Sequence, residues 1–310
     1  MTREIRLDNR VAIVTGAGRG LGRSHALLMA ARGARVVVND LGSEMDGGGA
    51  DPSVAAAVVE EIRRAGGTAV ANCDSVTTPE SARRIIKTAL DAFGNVDIVV
   101  NNAGIIRKKP FLEHTDDDLA AIVAVHQAGA FFVSQAAFEV MKEQQYGRFI
   151  FTTSVGGLRG NQYVAAYGSA KAGILGLAYV VAIAGIPFGI KANVISPYGH
   201  TRMAKSPHTV VDESSAQANR PELVSPLVVY LASEECGLNH EVLTVGGGAV
   251  ARTVIALGSG WRAGTPGELT PEAIRDHLDQ IMDVSRFSNP LTSDEEGALF
   301  LGPAIAAQRR

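Results

Sequence analysis

The sequence predicts an α/β protein: a doubly wound parallel sheet covered by helices on both faces. Two patterns carry that expectation. Short apolar runs alternate with stretches of helical length almost throughout the 310 residues, and such chains fold as parallel strands joined by right-handed crossovers. The first run, Val11-Ala12-Ile13-Val14, passes straight into Thr15-Gly16-Ala17-Gly18-Arg19-Gly20-Leu21-Gly22 and then into a helical pattern. An apolar strand of this kind suits the middle of a sheet buried on both sides.

The glycines after Val14 let the backbone turn tightly and lie close to a pyrophosphate, toward which the first helical N–H groups point. A glycine-rich string alone equally describes a plain turn. Here the helix expected over 21–31 ends at Gly33, and the next strand, Arg35-Val36-Val37-Val38-Asn39, ends at Asp40. That is about where an acidic residue meets an adenosine ribose. Together these features read as a dinucleotide site.

After Asp40 comes a loop over 41–52 with Gly42, Gly47, Gly48 and Gly49. It exceeds the roughly two to six residues usual for such a connection, and reads either as a flexible linker or as a flap near the adenosine end. A helix over 54–65, a strand over 68–72 ending at Cys73-Asp74, and a helix over 79–93 follow. The fourth strand, 96–100, runs into Asn101-Asn102-Ala103-Gly104, and one long helix is expected over 116–141, its positive end favoured by Asp116, Asp117 and Asp118. The fifth strand spans 148–154. A helix over 167–184 is lined with small residues, which permit close approach of another helix and suggest a subunit contact. Strands six and seven are expected over 190–195 and 242–245. Beyond Gly246, Thr270 and Pro271 open a helix, while 285–310 is less regular and lies over a neighbour or is partly loose. The expected organisation is one domain over 1–250 with an extension over 251–310, packed on the same domain or on a neighbouring subunit.

Hydrophobic content of 46% and a mean hydropathy of +0.11 suffice for a real core. The start, Met1 to Arg6, has no apolar core of the secretory type, and no window is read as the run of about 18 apolar residues a membrane helix needs. Cys73 and Cys236 have no metal-like spacing and imply no disulfide framework. A net charge of −3 draws neither nucleic acid nor a membrane surface. These bounds describe a soluble, cytoplasmic chain with no metal, no nucleic acid and no membrane among its partners.

Tyr167 and Lys171 stand one helical turn apart and project from one face. A phenol has a pKa of about 10; a nearby ammonium favours its phenolate, as does a positively charged nicotinamide ring, letting it exchange a proton with an alcohol. Ser154, at the end of strand five where ligands gather in open α/β sheets, is placed to hydrogen-bond the same substrate oxygen. A Tyr-x-x-x-Lys pair alone arises readily by chance. The ordered set, with the glycine-rich turn, Asp40 and the Asn101 turn, is what carries weight.

That set resembles the short-chain dehydrogenase/reductase family over about residues 8–250. The resemblance implies a Rossmann-like seven-stranded sheet and a nicotinamide cofactor. It implies Ser154, Tyr167 and Lys171 as catalytic residues, with Tyr167 and Lys171 also touching the cofactor. It places Gly16, Gly18, Arg19, Gly20, Leu21 and Gly22 at the cofactor's phosphates, Asp40 at its ribose, Asp74, Ser75 and Val76 beside the adenine, and Asn102, Ala103 and Gly104 in a supporting turn. A narrower resemblance, on Val38-Asn39-Asp40-Leu41-Gly42, Ala69-Val70-Ala71-Asn72, Val125-His126-Gln127-Ala128-Gly129, 197–203 and Thr270-Pro271-Glu272, is to the dehydrogenase domain of the type-2 peroxisomal multifunctional enzymes. It implies NAD-dependent conversion of (3R)-hydroxyacyl-CoA to 3-oxoacyl-CoA by a homodimer or homotetramer.

Two departures stand out. His126 occupies a helix position where the wider family usually has Asn, although the type-2 domain also carries His there. There it either relays protons through its ring or merely fills space beside a backbone-held water; the expectation is an intermediate one, with His126 in the catalytic set. The loop Pro197-Tyr198-Gly199-His200-Thr201-Arg202 alters the family's Pro-Gly opening, with Thr201 the expected contact to the nicotinamide amide. Asp40, followed by no basic residue at Leu41 or Gly42, favours NAD over NADP, although Arg19 is a contrary hint. Arg107, Lys108 and Lys109 either meet CoA phosphates or form a solvated charge run. The small-molecule substrate is a hydroxyacyl-CoA, with a steroid or terpenoid alcohol as rival; a non-catalytic NAD sensor or scaffold is the reading from another class, and has no need of an activated phenol.

Overall fold

The structure is a computed structural model that describes residues 4–199, 217 and 219–308. The chain divides into two compact units, Met1–Arg252 and Thr253–Arg310.

In the first unit, β1 (Val11–Thr15), β2 (Arg35–Asn39), β3 (Thr68–Asn72), β4 (Ile98–Asn101), β5 (Gly147–Thr152), β6 (Ile190–Pro197) and β7 (Val242–Gly246) pair in the order β3-β2-β1-β4-β5-β6-β7. Every pair among these seven is parallel. The order reverses beside β1, and the crevice at the C-terminal ends of β1 and β4 is the switch point where ligands of open α/β sheets bind. Alternate strand residues serve two cores. Ala12, Val14, Val36 and Val100 face Met29, Val58, Ile62 and Val228. Ile13, Val37, Val99, Phe149 and Phe151 face Ile85, Val133, Met141 and Ile174. The layers come from α1 (Gly20–Ala31), α2 (Ser53–Arg64), α3 (Pro79–Phe93), α4 (Asp116–Val123), α5 (Gly129–Gln144), α6 (Val155–Arg159), α7 (Ala165–Gly185) and α8 (Ser225–Ala232).

Several expectations need correction. The long helix is α4 and α5 joined through a π-helical turn, Ala124–Ala128, which carries His126. Strand four begins at Ile98, just after Asp97, whose carboxylate accepts the Val11 amide (2.8 Å) and Arg10 (2.8 Å) while its backbone still bonds Val11 and Arg148 (2.9 Å each). Strand five stops at Thr152, leaving Ser154 to cap α6. An eighth strand, β8 (Ala249–Thr253), joins the edge beyond β7; so short a connection permits only an antiparallel partner. Among the described residues two helices, Asp116–Gln144 and Ala165–Phe188, are by length and composition alone long and apolar enough to cross a membrane, where the sequence reading expected no such run. Both put one face into the core of the sheet, with Val133, Ala137, Ile174 and Ala178 fully buried.

In the second unit, β9 (Leu257–Gly258) pairs antiparallel with β10 (Phe287–Ser288). The expected helix is α9 (Pro271–Asp276), capped by the Thr270 hydroxyl accepting the Ala273 amide at 3.1 Å. After α10 (Leu278–Met282) the stretch read as irregular contains a 16-residue helix, α11 (Ser293–Gln308).

Candidate active site

The site is built outward from the end of β1. Gly16 has φ +64°, and a Cβ there would stand 2.8 Å from the Ala103 backbone; at Gly22 it would stand 2.1 Å from the Gly16 carbonyl oxygen. Only glycine lets the strand–helix turn close this far. The Thr15 hydroxyl accepts the amides of Asn102 and Ala103, both at 3.1 Å. The Asn102 amide donates back to the carbonyls of Thr15 (3.0 Å) and Gly16 (3.1 Å). The two turns are thus one braced unit across β1 and β4.

Asp40 ties down the other side. One carboxylate oxygen accepts the Gly18 amide and the other the Gly42 amide, each at 2.7 Å. A carboxylate offers about four acceptor positions, so two remain for ribose hydroxyls. Arg19 donates to the Ser43 carbonyl at 3.2 Å. Asp74 is held by Arg84 (2.6 Å) and Asn72 (2.9 Å).

Gly16, Arg19, Gly20, Leu21, Asp40, Asp74, Ser75, Val76, Asn102, Ala103 and Gly104 line one cavity of about 500 Å³. Gly18 and Gly22 lie behind them. Leu41, Ser43, Glu44, Met45 and Gly47 complete the wall, so the loop over 41–52 forms part of the cavity. The cavity size, the turn that a Cβ would block and the free acceptors of Asp40 fit the adenosine and phosphates of a dinucleotide.

Ser154, Tyr167, Lys171 and His126 stand beside this cavity rather than on its wall. The Ser154 oxygen accepts the Gly156 amide (3.1 Å), and its hydroxyl is a hydrogen-bond neighbour of the Tyr167 phenol. Lys171 is fully buried: its ammonium donates to the Thr152 carbonyl at 2.7 Å and lies 5.7 Å from the centre of the Tyr167 ring. Burial pulls the Lys171 pKa down to about 7. It also pushes the Tyr167 phenol up, against the contrary pull of Ser154. Burial thus moves both groups toward their neutral forms.

His126 packs edge-on against the Tyr167 ring, centroids 5.2 Å apart. Its Nε2 meets the Ile105 backbone, accepting from the amide (3.1 Å) in one tautomer or donating to the carbonyl (2.7 Å) in the other. Desolvation first, then the neighbouring Lys171 charge, takes its pKa down to about 3. The ring is therefore neutral throughout the physiological range, and does not fit a relay that depends on protonation near neutrality. Its geometry is that of a clamp on the turn carrying Asn102 to Ile105. Thr201 lies outside the described residues.

In the Arg107-Lys108-Lys109 run, two of the three side chains are engaged with one carboxylate. Arg107 (3.2 Å) and Lys109 (2.6 Å) both bind Asp118, whose side chain is 4% exposed, and these bonds hold its carboxyl far below the usual range. Arg107 also lines the cavity. No local signal marks that role, because it depends on residues from three separate stretches.

A family model described as short chain dehydrogenase matches residues 10–209. The chain belongs to the short-chain dehydrogenase/reductase family. It is an oxidoreductase of that family, whose members use a nicotinamide dinucleotide and small-molecule substrates. Peroxisomal multifunctional enzyme type 2 of Mus musculus is 46% identical over 297 residues, covering 95% of this chain and 40% of that protein. A hydroxyacyl-CoA dehydrogenase of Mycobacterium tuberculosis is 34% identical over 292 residues, 88% of this chain and 89% of that one. The full-length peroxisomal multifunctional enzyme type 2 structure from Drosophila melanogaster superposes with a TM-score of 0.81 at 33% identity, covering 98% of this chain and 50% of that chain. The chain thus spans about half or less of the type-2 relatives it matches.

Proposed function

We propose that this short-chain dehydrogenase/reductase interconverts (3R)-hydroxyacyl-CoA and 3-oxoacyl-CoA with NAD. The observation that carries the reading is the cluster of Ser154, Tyr167 and Lys171 at the edge of a cavity fitted to a dinucleotide. When bound, the nicotinamide supplies the hydride acceptor and a positive charge. For alcohol oxidation the Tyr167 phenol first gives up its own proton to solvent; the resulting phenolate takes the alcohol proton as the hydride would pass to the nicotinamide, and the Ser154 hydroxyl donates to the same substrate oxygen, where charge develops. Lys171, held against the Thr152 carbonyl, places its ammonium under the phenol, and its burial keeps competing water away.

NAD rather than NADP is favoured because Asp40 would repel a 2′-phosphate, while Arg19 already donates to Ser43. The CoA ester is favoured by the similarity to type-2 enzymes and to a relative named as a hydroxyacyl-CoA dehydrogenase. The active species is a homo-oligomer, joined through the uncharged outer face of α7.

Steady-state assays of the purified chain with NAD and NADP test this against a (3R)-hydroxyacyl-CoA, its free acid and a hydroxysteroid. The CoA ester with NAD should give the highest kcat/KM, since remote binding energy positions the reacting carbon. Tyr167→Phe should lose about 10²–10⁴-fold in turnover while NAD binding stays near normal. Preference for the steroid would promote the alcohol-dehydrogenase rival; binding without turnover on any of them would point to a sensor.

A further inference from the structure

The loop over 41–52 is braced in a way that the reaction chemistry leaves unused. Its base is closed by the Asp51 amide on the Leu41 carbonyl (3.0 Å). Its tip is a tight turn, with the Glu44 amide on the Gly48 carbonyl (2.7 Å) and the Gly47 amide on the Glu44 carbonyl (3.1 Å). Gly47 has φ +97°, so the tip gains nothing from helix or strand pairing and must be held from outside against the entropy of a glycine-rich loop. Arg19 holds its near side through the Ser43 carbonyl (3.2 Å), and the segment after β4 holds the tip itself. The Ile106 amide donates to the Met45 carbonyl (2.9 Å), and the Arg107 Nε donates to the Asp46 carbonyl (3.1 Å).

Arg107 is gripped from its other side. Its Nη1 donates to the Asp117 carbonyl (3.3 Å) and to an Asp118 carboxylate oxygen (3.2 Å). Asp118 is fixed by Lys109 (2.6 Å) and by the Thr115 amide (3.0 Å) in a capping box at the start of α4. A planar guanidinium reaches these acceptors from one rigid fork; an ammonium is a point charge and does not. Both Arg107 and the tip line the cavity.

We infer that Arg107 is the latch of a lid: it holds the 41–52 loop over the adenosine end of the cavity and so sets how fast the nucleotide leaves. The inference rests on the dinucleotide reading of that cavity and adds a positioning residue that touches no reacting atom.

The test uses the full chain and NADH. Stopped-flow fluorescence gives the NADH release rate, and hydrogen exchange reads the amides of residues 43–49. Arg107→Ala should release NADH at least fivefold faster and lose protection in the lid. Arg107→Lys should fall between the two. In the unmodified chain, NADH should itself slow exchange at 43–49, a readout independent of any variant's folding. Normal NADH binding, with release and lid exchange in Arg107→Ala both unchanged, overturns the latch alone. So does an unmodified chain that binds NADH with no change at 43–49. A wild-type chain that binds no NADH overturns the nucleotide reading, and the latch with it.

Discussion

At the scale of residues, burial decides the chemistry more than proximity does. Lys171 and Tyr167 are neighbours, yet each is pulled toward its neutral form because each has left water. A bound oxidised nicotinamide would supply a positive charge that favours the phenolate. His126 shows the same rule: its neutral imidazole bonds the Ile105 backbone and leans on the Tyr167 ring. A carboxamide in that place can offer an acceptor to the Ile105 amide and a donor to its carbonyl together. His126→Asn should therefore keep most of the activity, and His126→Ala should lose more than tenfold in kcat with little change in KM. With the ring neutral from pH 6 to 9, the shape of the pH–rate profile should be the same in all three proteins. An alanine variant with wild-type kcat across that range would remove His126 from the site.

At the scale of elements, the π-helical turn and α7 carry the most consequence. The extra residue in the turn at Ala124–Ala128 aims His126 at Ile105, where an unbroken helix would rotate the following residues out of register. A length-and-pattern reading finds the helix but not the turn, because the apolar period continues through it. On α7 the outward row of Ser169, Ala172, Gly176, Val180 and Ile183 is uncharged, with Val180 65% exposed. A row of small residues lets a second helix approach closely, and burying a charge there is costly. Val180→Glu should shift the chain toward smaller species in sedimentation velocity while its circular dichroism stays native. Unchanged sedimentation would move the subunit contact elsewhere.

At the scale of the whole molecule, two buried histidines govern acid stability. His25 is fully buried on α1 and bonded to the Ser225 hydroxyl of α8 (2.8 Å). Desolvation takes its pKa down to about 3, as it does for His126. An unfolded histidine titrates near 6.5, so below that pH the unfolded chain takes up protons that the folded chain refuses. Stability therefore falls as pH drops from about 6.5 toward 3, by on the order of 1 kcal/mol per pH unit for each histidine. His25→Asn, which keeps a donor and acceptor near Ser225 but cannot charge, should roughly halve the drop in Tm between pH 7 and pH 5. An unaltered drop would assign the acid sensitivity to other groups.

What the sequence determined by itself is whatever a short stretch encodes. The run of Val11 to Val14 into glycines, the strand ending at Asp40, the capped helix at Thr270 and the one-turn spacing of Tyr167 and Lys171 are local facts, governed by backbone geometry and side-chain period. The folded chain brings the glycine-rich turn, Asp40, Asp74 and Asn102 to one cavity wall because parallel strands deliver their C-terminal ends to one side. Only the tertiary structure decided the rest. The Asp97 carboxylate is buried against Arg10 and the Val11 amide, far away in sequence. β8 exists because the glycines after Val245 let the chain fold back on the edge of the sheet. Arg107 serves the cavity through Asp46 and Asp118, and the protonation of Lys171, His126 and His25 follows from how completely each is enclosed. Burial and long-range hydrogen bonds are properties of the packed molecule, so no window of sequence contains them.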